Sequence, residues 1–440
     1  MRTGPITKIS RREFVRMCSL SAAAFVVGCA ANPVTGKSQL MLVSERDEIN
    51  VDRMHSPHQF SADYGISQDK SLDGYMAEVG NKMTRITHRP QMPYNFHVVN
   101  ANYVNAYAFP GGSIACTRGI LLSLDNEAEL AALLGHELGH VNARHTAEIM
   151  SKSKISSAIV GGLAIAAGAY DKRAGGIAAQ LGMLGSGALL ASYSRDNERQ
   201  ADDLGMRYMV ASGYNPEGMV GLMDMLQNMS KHKMSTADLL FSTHPMSDER
   251  YKTAVSTARS KYTGSKSNPL NKERYMDRTS GLRKIRGAVT ALQKGETLLA
   301  KNKVEDADAE FSKALAIAPN DYAGLVMMAK SRFVQKKYAD ADRYIQKAKQ
   351  VYPGEAQAYH ISGFVNLKRK NYQTAFNDFS TYEKKLAGNP NILFFKGLSL
   401  EGLERIDPAA KHYHKFLQIV NQGDQAQYAY KRLKEWGYIK

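Results

Sequence analysis

Hydrophobic and polar positions fall into two regimes along the chain. From residue 286 onward they repeat every 34 residues: Ala307, Ala341, Ala375 and Ala409 share one register, with Phe311, Ile345, Phe379 and Tyr413 four positions later. Val304, Tyr338, Tyr372 and Ile406 stand three positions before each alanine, and the preceding segment carries Gly295, Ala329, Gly363 and Gly397. Small residues at one register let two helices approach closely, and large ones fill the groove beside them. The pattern therefore predicts four helix-turn-helix units and a helical cap holding the only tryptophan, Trp436. Pro319 and Pro353 close two units, and Pro390 closes the third three residues late.

The first half has no such period. Residues 94–100, YNFHVVN, alternate as a strand does. Residues 105–119 follow with Pro110-Gly111-Gly112 as a break, which predicts a strand or hairpin leading into a helix. From Glu127 to His145 there is no proline, and Leu130, Leu133, Leu134, Leu138 and Val141 give that helix a buried face. Asn126, with Glu129 three residues on, reads as its start with a capping box. Residues 155–170 and 174–194 are uncharged and Ala/Gly-rich. The first is short for a membrane span and the second only weakly hydrophobic, so both predict buried or surface-lying helices. Residues 260–285 are polar and basic with Gly and Pro, and read as a linker.

The helix over 127–145 carries the chemistry. His136 and His140, four apart, stand one turn above the other, so both imidazoles reach one ion. Glu137 is offset by one position and is better placed to address a water than to bind the metal; the spacing is that of a zinc hydrolase, His-Glu-x-x-His. A zinc site of this kind needs a third protein ligand. A histidine further along the same helix would require Gly at 143 and His at 146, but Ala143 and Thr146 stand there, and His145 lies on a different side of the helix from His140. The other solution, used by thermolysin, is a glutamate from a second helix. Residues 192–213 supply it: Glu198 as the ligand, with Asp202 four residues on to accept a hydrogen bond from a ligand histidine's other nitrogen.

Charge and the N-terminus place the chain. Residues 1–250 carry 24 Lys and Arg and 24 Asp and Glu, whereas residues 251–440 carry 34 against 18, so the whole excess of +16 lies after residue 250. Such a surface suits acidic proteins or anionic lipid; nucleic acid fits the charge but not the export signal described next. Residues 1–28 read as a signal peptide: Ser10 to Arg16 resembles a twin-arginine signal, and Val26-Val27-Gly28-Cys29 resembles a lipobox that makes Cys29 the lipidated first residue of the mature protein. The expected location is the periplasm, lipid-anchored to a membrane, with the outer membrane favoured. Of three cysteines, only Cys116 is left as a free thiol in the folded body.

The 34-residue units resemble tetratricopeptide repeats. AFPGGSIACTRGIL, HELGH, SRDNERQAD and HPMSDER, in that order and followed by repeats, resemble the bacterial periplasmic zinc endopeptidases of the CAAX-prenyl-protease and HtpX clan. The resemblance implies an α+β zincin-type (gluzincin) metalloprotease domain over residues 29–259, followed by an all-α tetratricopeptide-repeat solenoid over 286–440. It implies one Zn2+ per chain on His136, His140 and Glu198, Glu137 as catalytic base, and a role for His244 and Arg250 near the active site. His244 either donates to the oxyanion or sits on the zinc and holds the enzyme latent. The implied substrates are unfolded or misassembled envelope proteins, bound extended along the strand near residues 113–117. The repeats are expected to recruit them or the outer-membrane assembly machinery. The alternative is a repeat scaffold or chaperone whose protease domain is latent. A membrane-embedded prenyl protease would need several long spans that the chain lacks.

Overall fold

The computed structural model describes residues 29–160 and 192–440. Residues 1–28, where a signal peptide is expected, and most of the two Ala/Gly-rich runs lie outside the described residues. A short antiparallel pair, β1 (Cys29–Ala31) and β2 (Ser38–Leu40), opens the chain, followed by helices α1 (Glu45–Ala62) and α2 (Lys70–Thr84). The expected alternating strand is β3 (Asn95–Val99), and the segment broken by Pro110-Gly111-Gly112 is a hairpin of β4 (Ala106–Ala108) and β5 (Ser113–Thr117). The three form one sheet in the order β3-β5-β4, with β5 parallel to β3 and antiparallel to β4. This corrects the expectation that residues 113–117 offer a sheet edge: β5 is the central strand, paired on both sides, and all five of its residues are buried. The antiparallel edge is β4. Thr117 N–H donates to Asn105 O and Phe109 N–H to Ser113 O, so positions 105 and 109 face β5. By the alternation of an antiparallel ladder, Ala106 and Ala108 turn their backbone groups away from β5.

After a single turn, α3 (Arg118–Leu121), comes the histidine helix α4 (Glu127–Ala143). Asn126 caps it by accepting from Glu129 N–H. The Glu129 carboxylate accepts instead from Asp125 N–H at 2.7 Å and from Asn126 Nδ2 at 2.8 Å, so the expected reciprocal box is displaced by one residue. Every residue of α4 is buried, where the sequence pattern implied one buried face. Arg144, left-handed at φ 61°, ends α4, and α5 (His145–Val160) starts at once in a new direction. Helices α6 (Arg195–Ala211), α7 (Glu217–Lys231), α8 (Asp238–Thr243) and α9 (Asp248–Ser260) complete the N-terminal part.

Helices α4 and α6 touch backbone to backbone. A Cβ on Gly135 would lie 2.9 Å from Gly205 O, one on Gly139 2.9 Å from Ala201 Cα, and one on Gly205 2.7 Å from His136 N. This seam lets side chains from two helices meet at one point. Gly205→Ala is expected to force the helices apart and to cost about 1–3 kcal/mol of stability, the usual range for overpacking. Weaker zinc binding should accompany it; a melting curve and a zinc titration check both.

Residues 260–285 are not a loose tether. Helices α10 (Lys272–Arg278) and α11 (Ser280–Lys284) pack there: Tyr275 is fully buried with its hydroxyl donating to Leu121 O at 2.7 Å, and Arg274 reaches Glu127 at 2.7 Å. Its polar residues satisfy the ends of α3 and α4, which is why the composition resembles that of a linker.

The repeats follow as the pairs α12 (Arg286–Ala300) and α13 (Val304–Ile317), α14 (Tyr322–Val334) and α15 (Tyr338–Val351), α16 (Gln357–Lys368) and α17 (Tyr372–Lys385), and α18 (Asn391–Gly402) and α19 (Ile406–Leu417). The cap is α20 (Asp424–Glu435), with Trp436 stacked on Tyr413. The small residues do what their register predicts: a Cβ on Gly295, Gly363 or Gly397 would strike the ring of Phe311, Phe379 or Tyr413 at 2.3–2.6 Å. Each turn places one non-glycine residue at positive φ, Asn302, Lys336, Lys370 and Glu404, again 34 apart. The repeats dock on the N-terminal part through a buried pair. Arg118 grips Asp321 at 2.5 and 3.1 Å while also binding Asn102 Oδ1, and Asp321 caps α14. Burial works against the charge of Asp321, but Arg118 outweighs it and holds the carboxyl below its ordinary range. Ser61 with Glu355, and Gln293 with Asn102 O at 2.7 Å, extend the contact.

Candidate metal centre

Four ligand-type side chains converge between α4, α6 and the loop after α8: His136, His140, Glu198 and His244, all buried, each with one donor atom within 4.8 Å of the others. His136 Nε2 lies 3.1 Å from His140 Nε2 and 3.6 Å from Glu198 Oε2; His140 Nε2 lies 3.4 Å from Glu198 Oε1. His244 Nδ1 is 3.4 Å from His136 Nε2 and 3.1 Å from Glu198 Oε1. Tetrahedral zinc with bonds of ~2.0–2.1 Å sets its ligand atoms about 3.3–3.4 Å apart, so these spacings are those of a zinc tetrahedron's edges.

These side chains are held from behind. His136 Nδ1 meets Asp202 Oδ1 at 2.9 Å. Asp202 is in turn gripped by Arg250 through Nε at 2.7 Å and Nη2 at 2.8 Å. Arg250 Nη1 donates to Pro245 O at 2.9 Å and approaches Glu198 Oε2 at 2.6 Å. Arg250 therefore faces the carboxylates and the His244 loop. Behind His140 stands His145, Nδ1 to Nδ1 at 2.9 Å, with Gln200 Oε1 3.0 Å from the other nitrogen of His145. Tyr193 stacks on His140 with ring centres 3.7 Å apart, and its N–H donates to Thr243 O beside His244. Sequence reasoning missed His145, Gln200 and Tyr193. On one continuous helix His145 points away, and only the left-handed turn at Arg144 swings it in. His97 pairs with Asp73 at 3.3 Å, and the exposed His232 meets Asn228 O; neither belongs to the cluster.

Burial pushes His140 well below the ordinary imidazole range, so it is neutral, the form that binds a metal. Burial raises Glu198, yet His244 and His136 outweigh it and hold the carboxylate well below its ordinary range. Burial lifts Glu137 above the ordinary carboxyl range, with His244 and His136 partly opposing. For His244, burial is overcome by Glu198 and Glu137, and its pKa rises. Two imidazoles and a carboxylate suit zinc. Glu137 suits the complementary role of a base beside the ion. Its Oε2 is buried and, among the described residues, without a hydrogen-bond partner, while Oε1 lies 3.8 Å from His244 Nε2. A cavity of about 20 Å³ adjoins it, walled by Leu133, Leu222, Met223, Leu226 and Phe241.

Comparison with known proteins places this centre. The chain is 27% identical over 205 residues to the beta-barrel assembly-enhancing protease of Yersinia pestis, covering 46% of this chain and 42% of that protein. Against the beta-barrel assembly-enhancing protease of Escherichia coli (strain K12), identity is 28% over 188 residues, covering 42% and 38%. Against Metalloprotease YcaL of the same strain it is 34% over 163 residues, covering 36% and 59%. The chain thus spans about two fifths of the length of the assembly-enhancing proteases it matches. The family model for Peptidase family M48 matches residues 70–258, a stretch that includes α4, α6 and the His244 loop. Over residues 70–258 the chain is accordingly similar to peptidase family M48.

Proposed function

We propose that this chain is a zinc-dependent endopeptidase of the cell envelope that hydrolyses misfolded or stalled envelope proteins, with the repeats recruiting substrate or assembly partners. The observation that carries this reading is the meeting of His136, His140 and Glu198 from two helices, with Glu137 beside them. These three residues would hold the zinc, which when bound supplies a Lewis acid for the scissile carbonyl and lowers the pKa of water to roughly 7. Glu137 takes the proton of the attacking water and passes it to the leaving amine. Asp202 and Arg250 position rather than react: the first orients His136, and the second ties Asp202, Glu198 and Pro245 together. An extended substrate adds to the edge of β4 at Ala108, the one partly exposed residue of that strand, since β4 packs on α4 beside the cluster.

His244 admits two roles, and the distances favour occlusion. Its Nδ1 stands among the donor atoms, at the place that substrate and water need. The same observation supports the second reading, a repeat scaffold or chaperone with a latent protease. One assay separates them: cleavage of a fluorescently labelled unfolded protein by the purified chain, with and without chelator. We expect chelator-sensitive cleavage, increased by His244→Ala. Binding without cleavage in every case would favour the scaffold, and a fall in rate for His244→Ala would return His244 to the oxyanion role. The site of action is proposed as the periplasmic face of a membrane, through lipid on Cys29. Among the described residues no helix is long and apolar enough to cross a membrane. Incorporation of labelled fatty acid that disappears in Cys29→Ser tests the anchor.

A further inference from the structure

We propose that the β1–β2 hairpin seats directly on lipid headgroups and fixes the candidate metal centre at a set height above the bilayer, so that it acts on polypeptide held at the membrane surface; this rests on the reading of Cys29 as the lipid-bearing residue. Cys29 already belongs to the fold. It opens β1 and pairs with Leu40 across the hairpin, so no tether separates the anchor from the folded body. Three residues later Asn32 is buried and donates from Nδ2 to Ala143 O at 3.3 Å, filling one of the carbonyls left open at the end of α4. Three extended residues span at most about 11 Å. The end of the histidine helix is thus within about 20 Å of the anchor, and His140 lies within one turn of that end.

The hairpin is stitched down at further points. Leu42 N–H donates to Ser151 Oγ on α5 at 2.9 Å, and Arg144 Nη2 donates to Val43 O at 2.7 Å. Met41, Val43 and Ala147 form a small buried cluster, with Ala30 and Met150 against it. Because Ala143 and Arg144 end α4, the hairpin moves with the helix that bears His136 and His140. The exposed residues suit a headgroup contact. Residues 29–44 include no acid and one base, the exposed Lys37, and Leu42 is 40% exposed in the connection from β2 to α1. A cation and an exposed apolar side chain next to an acyl anchor fit a phospholipid surface, which is anionic or zwitterionic. A flexible link of about 20 residues would let the body wander roughly 25 Å from its anchor, and the hairpin allows none of this. The reach of the centre is therefore a property of the fold. Polypeptide lying on or emerging from the bilayer comes within it, and polypeptide free in solution gains nothing from the anchor.

The test uses the full chain purified with its lipid and reconstituted in phospholipid vesicles. Leu42→Trp in a Trp436→Phe background gives the protein a single tryptophan, beside the hairpin, and its quenching by lipids spin-labelled at the headgroup reads contact. A second form carries a flexible Gly/Ser spacer of about 20 residues between Cys29 and Ala30. The expected result is strong quenching without the spacer and loss of most of it with the spacer. Cleavage is then compared on two lipid-linked unfolded peptides, one with its cleavable segment at the headgroups and one carrying it at the end of a long polyethylene glycol arm. The near peptide should be cut about tenfold faster by the form without the spacer, a preference that the spacer removes. No quenching in lipid-bearing protein, equal quenching in both forms, or equal rates on both peptides overturns the proposal. Absence of fatty acid on Cys29 sinks the lipid reading and this proposal with it. Absence of cleavage alone, with quenching as expected, sinks the protease reading and leaves the seating standing.

Discussion

Glu137→Gln is expected to leave zinc binding intact and to lower peptide hydrolysis by about 10²–10⁴-fold, the range that a positioned acid–base group contributes. The substitution keeps the volume of a fully enclosed side chain and leaves His136, His140 and Glu198 untouched. It removes a basic group that stands next to the proposed ligand atoms without belonging to them. Burial lifts the Glu137 carboxyl, which brings it toward the pH at which it must first accept and then return a proton. Zinc content by atomic emission and cleavage rate on an unfolded substrate, measured on one preparation, decide the matter. Undiminished cleavage would end the assignment. Loss of zinc with loss of cleavage would make Glu137 a ligand instead.

The second large effect is expected at Glu198. Glu198→Ala should weaken zinc by more than the ~10–100-fold typical of an outer partner, because it deletes a ligand from the second helix while the two histidines remain. Arg250 also loses one of its two carboxylates, so some stability is lost as well. Glu148→Ala is the matched control: that carboxylate lies on α5 and, among the described residues, pairs with the exposed Lys152 four residues on, and its removal should change neither zinc nor rate. Equal zinc titrations for the two variants would separate Glu198 from the metal.

These features were readable in the sequence to different depths. His136 and His140 announce themselves through spacing on one helix, and Asp202 follows from Glu198 by the same four-residue rule. The repeats are visible because a solenoid must bury equivalent positions in every unit, so Gly295, Gly363 and Gly397 recur against Phe311, Phe379 and Tyr413. What depends on a single backbone torsion was invisible: the positive φ of Arg144 turns His145 inward, and no residue type there signals it. The pairing of β5 on both sides escaped for a related reason, since a fully buried strand and an edge strand of five residues look alike in sequence. The segment 260–285 misled through composition, because the polar groups that suggest solvent are spent on Glu127, Leu121 and Leu124.

The enclosure of α4 on all sides carries a consequence for how the domain opens. Local fraying exposes mainly elements that already border water, and every residue of this helix is buried along Glu127–Ala143. Its amide protons should therefore exchange with deuterium only when the whole domain opens. The peptide units that bear His136 and His140 would then belong to the slowest-exchanging set, while those around His244, in a short helix and loop, exchange early.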